Sequence, residues 1–145
     1  MKSNISLILF FLAISSLHAD SIDYWHVYIN DSVVAKYNAN STDLNLTLKK
    51  SEIKSNDTIT VRYGKDTPCS DCYYVLTLFL EIMEKSPTAV TSEPFGNLSI
   101  PMKAILDIQR KYKKDKFYFN YYEKPNAQIG LPENSKLVLV LNITE

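Results

Sequence analysis

A chain of 145 residues with 16 basic and 16 acidic side chains has no charge excess to draw in nucleic acid or an anionic membrane. Three glycines leave no Gly-rich phosphate loop, and two cysteines with two histidines leave little for soft metal chemistry. What remains is a protein or glycan partner, or a small reaction run by the cysteines.

The first 19 residues read as a secretory signal. Lys2 supplies the positive start, Leu7 to Ile14 the apolar middle, and Leu17-His18-Ala19 a small-residue cleavage site before Asp20. The apolar run falls short of the ~20 residues that a transmembrane helix needs, as does every later run. The expectation is therefore a chain secreted or exported to the periplasm, with no membrane span after cleavage. Removing 19 of the 145 residues leaves 126, a single β-rich domain long enough to bury its own core. One lysine is lost with the signal, so 15 basic side chains face 16 acidic ones, a net charge of −1. Six Asn-x-Ser/Thr sequons follow, at Asn30, Asn40, Asn45, Asn56, Asn97 and Asn142.

Tyr24 to Asn30 alternates, with Trp25, Val27 and Ile29 on one side and Tyr24, His26 and Tyr28 on the other, which is the strand period. Asn30-Asp31 is a two-residue turn, and Ser32 to Asn38 completes a hairpin. Leu44, Leu46 and Leu48 mark a half-buried strand. Ser51 to Asp57 is a turn region with one helical turn around Ile53, and Ile59, Val61 and Tyr63 mark the next strand. One apolar and one polar face per strand is what an antiparallel sheet with one solvated side requires.

Residues 73–85 fit two periods. As a strand, Leu76, Leu78, Leu80 and Ile82 share a face; as a helix, Val75, Leu76, Phe79, Leu80 and Met83 do. Propensity separates the two by tenths of a kcal/mol per residue, up to ~1, and the strand neighbours favour a strand. Beyond Ser86-Pro87 comes a loop with a short strand. Ser99 then stands as an N-cap with Pro101 in the first turn of a helix over about 100–113. Met102, Ile105, Leu106, Gln109 and Tyr112 recur on its face, and the basic run Arg110 to Lys114 suits its C-terminal dipole. Phe117 to Glu123 and the apolar run Lys136 to Thr144 are strands, the second in a central position. The fold expected is mainly β, an antiparallel β-sandwich of about six to eight strands with one helix.

Cys69 and Cys72 lie in a C-x-x-C. A disulfide needs Cα atoms within about 7 Å, whereas residues three apart in a strand lie ~10 Å apart, so a bonded pair demands a turn. The plainest reading is a local disulfide pinning that turn. The order strand (Thr58 to Gly64), C-x-x-C, then an apolar segment (Tyr73 to Lys85) also resembles thioredoxin-like proteins. That resemblance implies a mixed α+β sheet, a helix after the cysteines, and thiol–disulfide exchange with Cys69 as nucleophile and Cys72 as resolving thiol. Ser70-Asp71 stands between the cysteines, and an acid there disfavours the thiolate. Zinc would have to use Cys69, Cys72 and His26 with Asp66 or Asp71, short of two clear ligand pairs, so no metal or other cofactor is expected.

His26 lies among strand aromatics without a nucleophile elbow, and no pair of carboxylates stands out, so enzyme chemistry is not the expectation. The aromatic residues carry more. Tyr24 and Tyr28 on the first strand, with Tyr118, Asn120 and Tyr122 on a late one, are the outward sets. Amphipathic rings beside amides suit a sugar or a protein surface. The functional expectation is an exported, non-catalytic binding module using that aromatic face, with thiol–disulfide oxidoreductase as the alternative.

Overall fold

The computed structural model describes residues 22–80, 86–125 and 135–145. Residues 1–19, where a signal is expected, residues 81–85 of the ambiguous segment and most of the loop at 124–135 lie outside them. Among the described residues nine strands form two sheets with one α-helix. They are β1 (Tyr24–Ile29), β2 (Ser32–Asn38), β3 (Asn45–Lys49), β4 (Thr58–Gly64), β5 (Cys72–Phe79), β6 (Thr88–Thr91), β7 (Leu98–Pro101), β8 (Lys116–Pro125) and β9 (Lys136–Thr144); the helix α1 is Met102–Tyr112.

One sheet has the order β2-β1-β4-β7 and the other β3-β9-β8-β5-β6. The sandwich expected from alternation is thus present. It departs from a wholly antiparallel one at a single pair: β3 runs parallel to β9. A 3-10 turn at Lys50–Glu52 sits where one helical turn was expected. The β1–β2 turn is made by Asn30, whose φ of 53° lies in the left-handed region that Asn tolerates.

The two inner faces share one core. Trp25, Val27, Ile59 and Val61 come from the first sheet; Leu76, Leu78, Phe117, Phe119, Leu139 and Leu141 come from the second. This burial resolves the strand–helix ambiguity at 72–79. Putting Leu76 and Leu78 fully inside contributes about 3–6 kcal/mol, which outweighs helix preferences of tenths per residue. Val75 points outward yet is also buried, because Tyr122 and Val90 flank it in register. With apolar side chains on both faces, the segment carries no clean alternation of polarity. The thioredoxin-like alternative needed a helix directly after the cysteines, and β5 takes that place.

The helix starts later than expected. Ser99 is a strand residue of β7, paired with Thr60 and sharing a 2.8 Å hydroxyl–hydroxyl hydrogen bond with it, so it is not the N-cap. Pro101 precedes the first turn without a side-chain cap, and the Met102 N–H donates to the Asp57 carbonyl at 2.8 Å. At the far end Lys113 adopts the left-handed conformation (φ 54°) and its N–H returns to the Gln109 carbonyl. Met102 and Ile105 are fully buried in the common core, so α1 closes one end of the sandwich and covers neither outer face.

Candidate functional site

Cys69 and Cys72 are bonded, with Cα atoms 5.5 Å apart, across a turn that leads straight into β5. The Tyr74 hydroxyl, two residues on, donates to the Cys69 carbonyl at 2.7 Å and fastens the turn to the strand. Register places Glu123 opposite Tyr74, which brings its carboxylate and both sulfurs within 4.8 Å of one another. Sulfurs joined in a disulfide offer no thiolate, so this trio has no metal-binding donor set in the oxidised protein. A carboxylate at that distance also opposes the thiolate that exchange chemistry requires. His26 lies on the opposite sheet from this turn and contributes nothing to it.

Beside the disulfide, at the end of the sandwich away from the helix, the core opens into a polar cleft of about 310 Å³. A stack leads out to it: Trp25 on Tyr63 with ring centroids 5.5 Å apart, then Tyr63 on Tyr121 at 4.0 Å. Each phenol meets a carboxylate. Tyr63 donates to Asp23, and Tyr121 donates to Glu123 at 3.3 Å. Lys136 donates to the Tyr63 hydroxyl at 3.0 Å and lies 3.5 Å from Asp23, while Lys65 lies 3.4 Å from Glu123. Burial first, then the Asp23 hydrogen bond and charge, push the Tyr63 phenol far above its ordinary range. Burial and the Glu123 charge do the same to Tyr121. Both phenols stay neutral donors, and among the described residues the cations and carboxylates of the cleft pair with one another, so neither tyrosine offers a phenolate nucleophile or base there.

This cluster was not legible from motifs. Its members sit where inward-facing positions run out of core: Asp23 just before β1, Tyr63 near the end of β4, Glu123 late in β8, and Lys136 first in β9. Charged residues at inward strand ends were the available signal.

The outward aromatics expected to form one face lie on two. Trp25 and Val27 point into the core, so Tyr24, His26 and Tyr28 stand on the outside of the four-stranded sheet. Phe117, Phe119 and Tyr121 point in, so Tyr118, Asn120 and Tyr122 stand on the outside of the five-stranded sheet. The sandwich separates the two sets.

On the five-stranded sheet, register joins Tyr118 to Phe79 and Val140, Asn120 to Thr77, and Tyr122 to Val75. Phe79 is 46% exposed, Tyr73 45%, Val90 57% and Tyr118 38%, which makes one broad apolar and aromatic surface with Thr77, Asn120 and Thr88 across its middle. Phe79, Tyr73 and Thr77 went unrecognised because the two-period reading of their segment left the outward side undefined. On the four-stranded sheet, the Tyr24 ring lies over Gly64, its partner in register, and a methyl there would overlap the ring.

No protein-family model, curated protein or solved structure matches the chain, so these surfaces carry the functional argument. The disulfide is compatible with an extracellular or periplasmic location. Among the described residues no helix is long and apolar enough to cross a membrane.

Proposed function

We propose that residues 1–19 are a removable export signal and that the rest of the chain is a non-catalytic binding module whose partner is a protein. The observation that carries this reading is the outer face of the five-stranded sheet. Phe79, Tyr118, Val90 and Tyr73 expose large apolar groups there without cover from α1, and a contiguous patch of that kind marks an interaction surface. Aromatic groups around central Thr77 and Asn120 match the make-up of protein interfaces, where rings supply area and a few polar groups fix orientation. The local disulfide serves as a staple.

The test is site-specific photo-crosslinking in the native host, with the probe at position 118 or 122, and at exposed Lys103 on α1 as control. The reading expects one discrete adduct from the sheet positions, none from 103, and its loss with Phe79→Asp. Equal labelling from all three positions, or an adduct indifferent to Phe79→Asp, would sink it. Sedimentation that shows a dimer dissociated by Phe79→Asp would instead make the occupant a second copy. The export signal is checked separately: the N-terminus of the isolated protein should be Asp20.

A further inference from the structure

The outer face of the four-stranded sheet carries a row of nitrogen cations and bases that the aromatic reading does not use. Register pairs His26 with Lys36 on one side and with Arg62 on the other. Their chain neighbours Trp25, Val27, Val61 and Tyr63 are buried in the core, and Ala35 and Tyr37 pack against it, so all three side chains point outward in a line across β2, β1 and β4. Strands spaced ~4.8 Å apart put the ends of this line roughly 10 Å apart.

Lys36 and Arg62 thus stand on one face about 10 Å apart, close enough to repel each other at moderate salt unless compensated. Among the described residues none of the three forms an ion pair with a carboxylate. Arg62 is held by neutral groups instead. Its Nε–H donates to Asn97 Oδ1, and its guanidinium carbon lies 4.8 Å over the Tyr28 ring. That arrangement fixes the plane of the guanidinium and leaves its terminal nitrogens without a protein acceptor among the described residues, the condition in which Arg best receives a two-oxygen anion.

Rings flank the row. Tyr24 and Tyr28 lie 5.6 and 6.5 Å from the His26 ring, centroid to centroid. Next to Arg62 and Tyr28, the Thr60 and Ser99 hydroxyls line a cleft of about 440 Å³. Asp31, at the hairpin tip, is its single carboxylate.

We infer that this face binds an acidic polysaccharide, with carboxylate or sulfate groups on Arg62, His26 and Lys36 and sugar rings against Tyr24 and Tyr28. Rings alone would suit a neutral sugar, and cations alone any polyanion; the two interleaved on one sheet face suit a charged sugar chain. The site is independent of the protein-binding reading, since it lies on the other side of the sandwich.

The experiment is isothermal titration of the mature protein with dextran sulfate, polygalacturonate and neutral dextran, in parallel with Lys36→Ala/Arg62→Ala, Tyr28→Ala and Lys113→Ala/Lys114→Ala. Dextran sulfate and polygalacturonate distinguish sulfate from carboxylate recognition. The inference expects one of them to bind and neutral dextran not to, with affinity falling as salt rises. It expects Lys36→Ala/Arg62→Ala to weaken binding at least tenfold and Tyr28→Ala by about threefold to tenfold. Lys113→Ala/Lys114→Ala, in the basic run after α1, should leave it unchanged. Loss of binding in that last variant, no binding of either polyanion, or stronger binding of poly-glutamate or a single-stranded oligonucleotide would overturn it. Circular dichroism of each variant separates misfolding from a lost contact.

Discussion

Trp25 Nε1 donates to the Val138 carbonyl at 2.6 Å, a buried hydrogen bond that crosses the interior from one sheet to the other. Phe119 pairs with Leu139 and Asn120 with Leu137, so Val138 is the extra residue of a bulge in β9. The bulge takes its carbonyl out of the ladder, and the indole provides the partner that a buried carbonyl needs. Trp25→Phe is expected to cost about 2–4 kcal/mol, from the unmade hydrogen bond together with the void left by the smaller ring. Urea unfolding followed by far-UV circular dichroism measures it. A loss under about 0.5 kcal/mol would show that the bond contributes little net stability.

That bond also shows where sequence reading ends. Alternation of Trp25, Val27 and Ile29 with Tyr24, His26 and Tyr28 placed the indole inside, because period 2 maps directly onto the two faces of a strand. Nothing in the period says which sheet a strand joins, so Tyr24 and Tyr118 read as one face while the sandwich set them apart. The same limit hid the parallel β3–β9 pair, since both strands look alike in either direction. Ser99 followed two residues later by Pro101 satisfied local rules for a helix start, and the ladder to Thr60 overrode them. Long-range pairing decides each of these, and a single sequence carries no direct record of it.

The Cys69–Cys72 staple closes a short loop, so the chain-entropy expression allows it only about 2 kcal/mol. Replacing both cysteines by alanine should leave the protein folded, with its thermal midpoint lowered by several degrees. Because the Glu123 carboxylate lies within 4.8 Å of both sulfurs and opposes a thiolate, the pair's reduction potential should fall below about −300 mV. Equilibration against dithiothreitol with mass-spectrometric trapping gives the value. A potential between about −120 and −270 mV would return the pair to exchange chemistry.

Tyr63 and Tyr121 predict the behaviour at high pH. Burial raises both phenols above the ordinary value of 10.0, so the fold favours the neutral form. The stability this represents is complete below pH 10 and is lost as pH rises above it, because the unfolded chain releases these protons first. By absorbance at 295 nm, Tyr63 and Tyr121 should ionise only as the fold is lost. Tyr63→Phe should flatten the decline in stability between about pH 10 and 11.5. An unchanged slope in that variant would count against Tyr63 as its source.

Asp57 works at the other extreme of pH. Its carboxylate accepts from the Asn30 side-chain amide at 3.0 Å and from the Lys54 N–H at 2.8 Å, and its carbonyl accepts from Met102 at the start of α1. Asn30 in turn accepts from the Thr58 N–H, so one pair of side chains joins the β1–β2 turn to the entry of β4. The Asn30 hydrogen bond, followed by that of Lys54, lowers the carboxyl below its ordinary value of 3.8. Its contribution is therefore complete above that value and disappears as pH falls through the lower folded one. Asp57→Ala removes both side-chain bonds and keeps the carbonyl that receives α1. Thermal midpoints taken from pH 7 to pH 2.5 should then start lower than in the parent and fall less steeply at the acid end, with α1 retained by circular dichroism. Asp57→Asn should lie between the two at neutral pH, since one amide oxygen still accepts. Parallel acid profiles for parent and Asp57→Ala would mean that other carboxylates drive the acid transition.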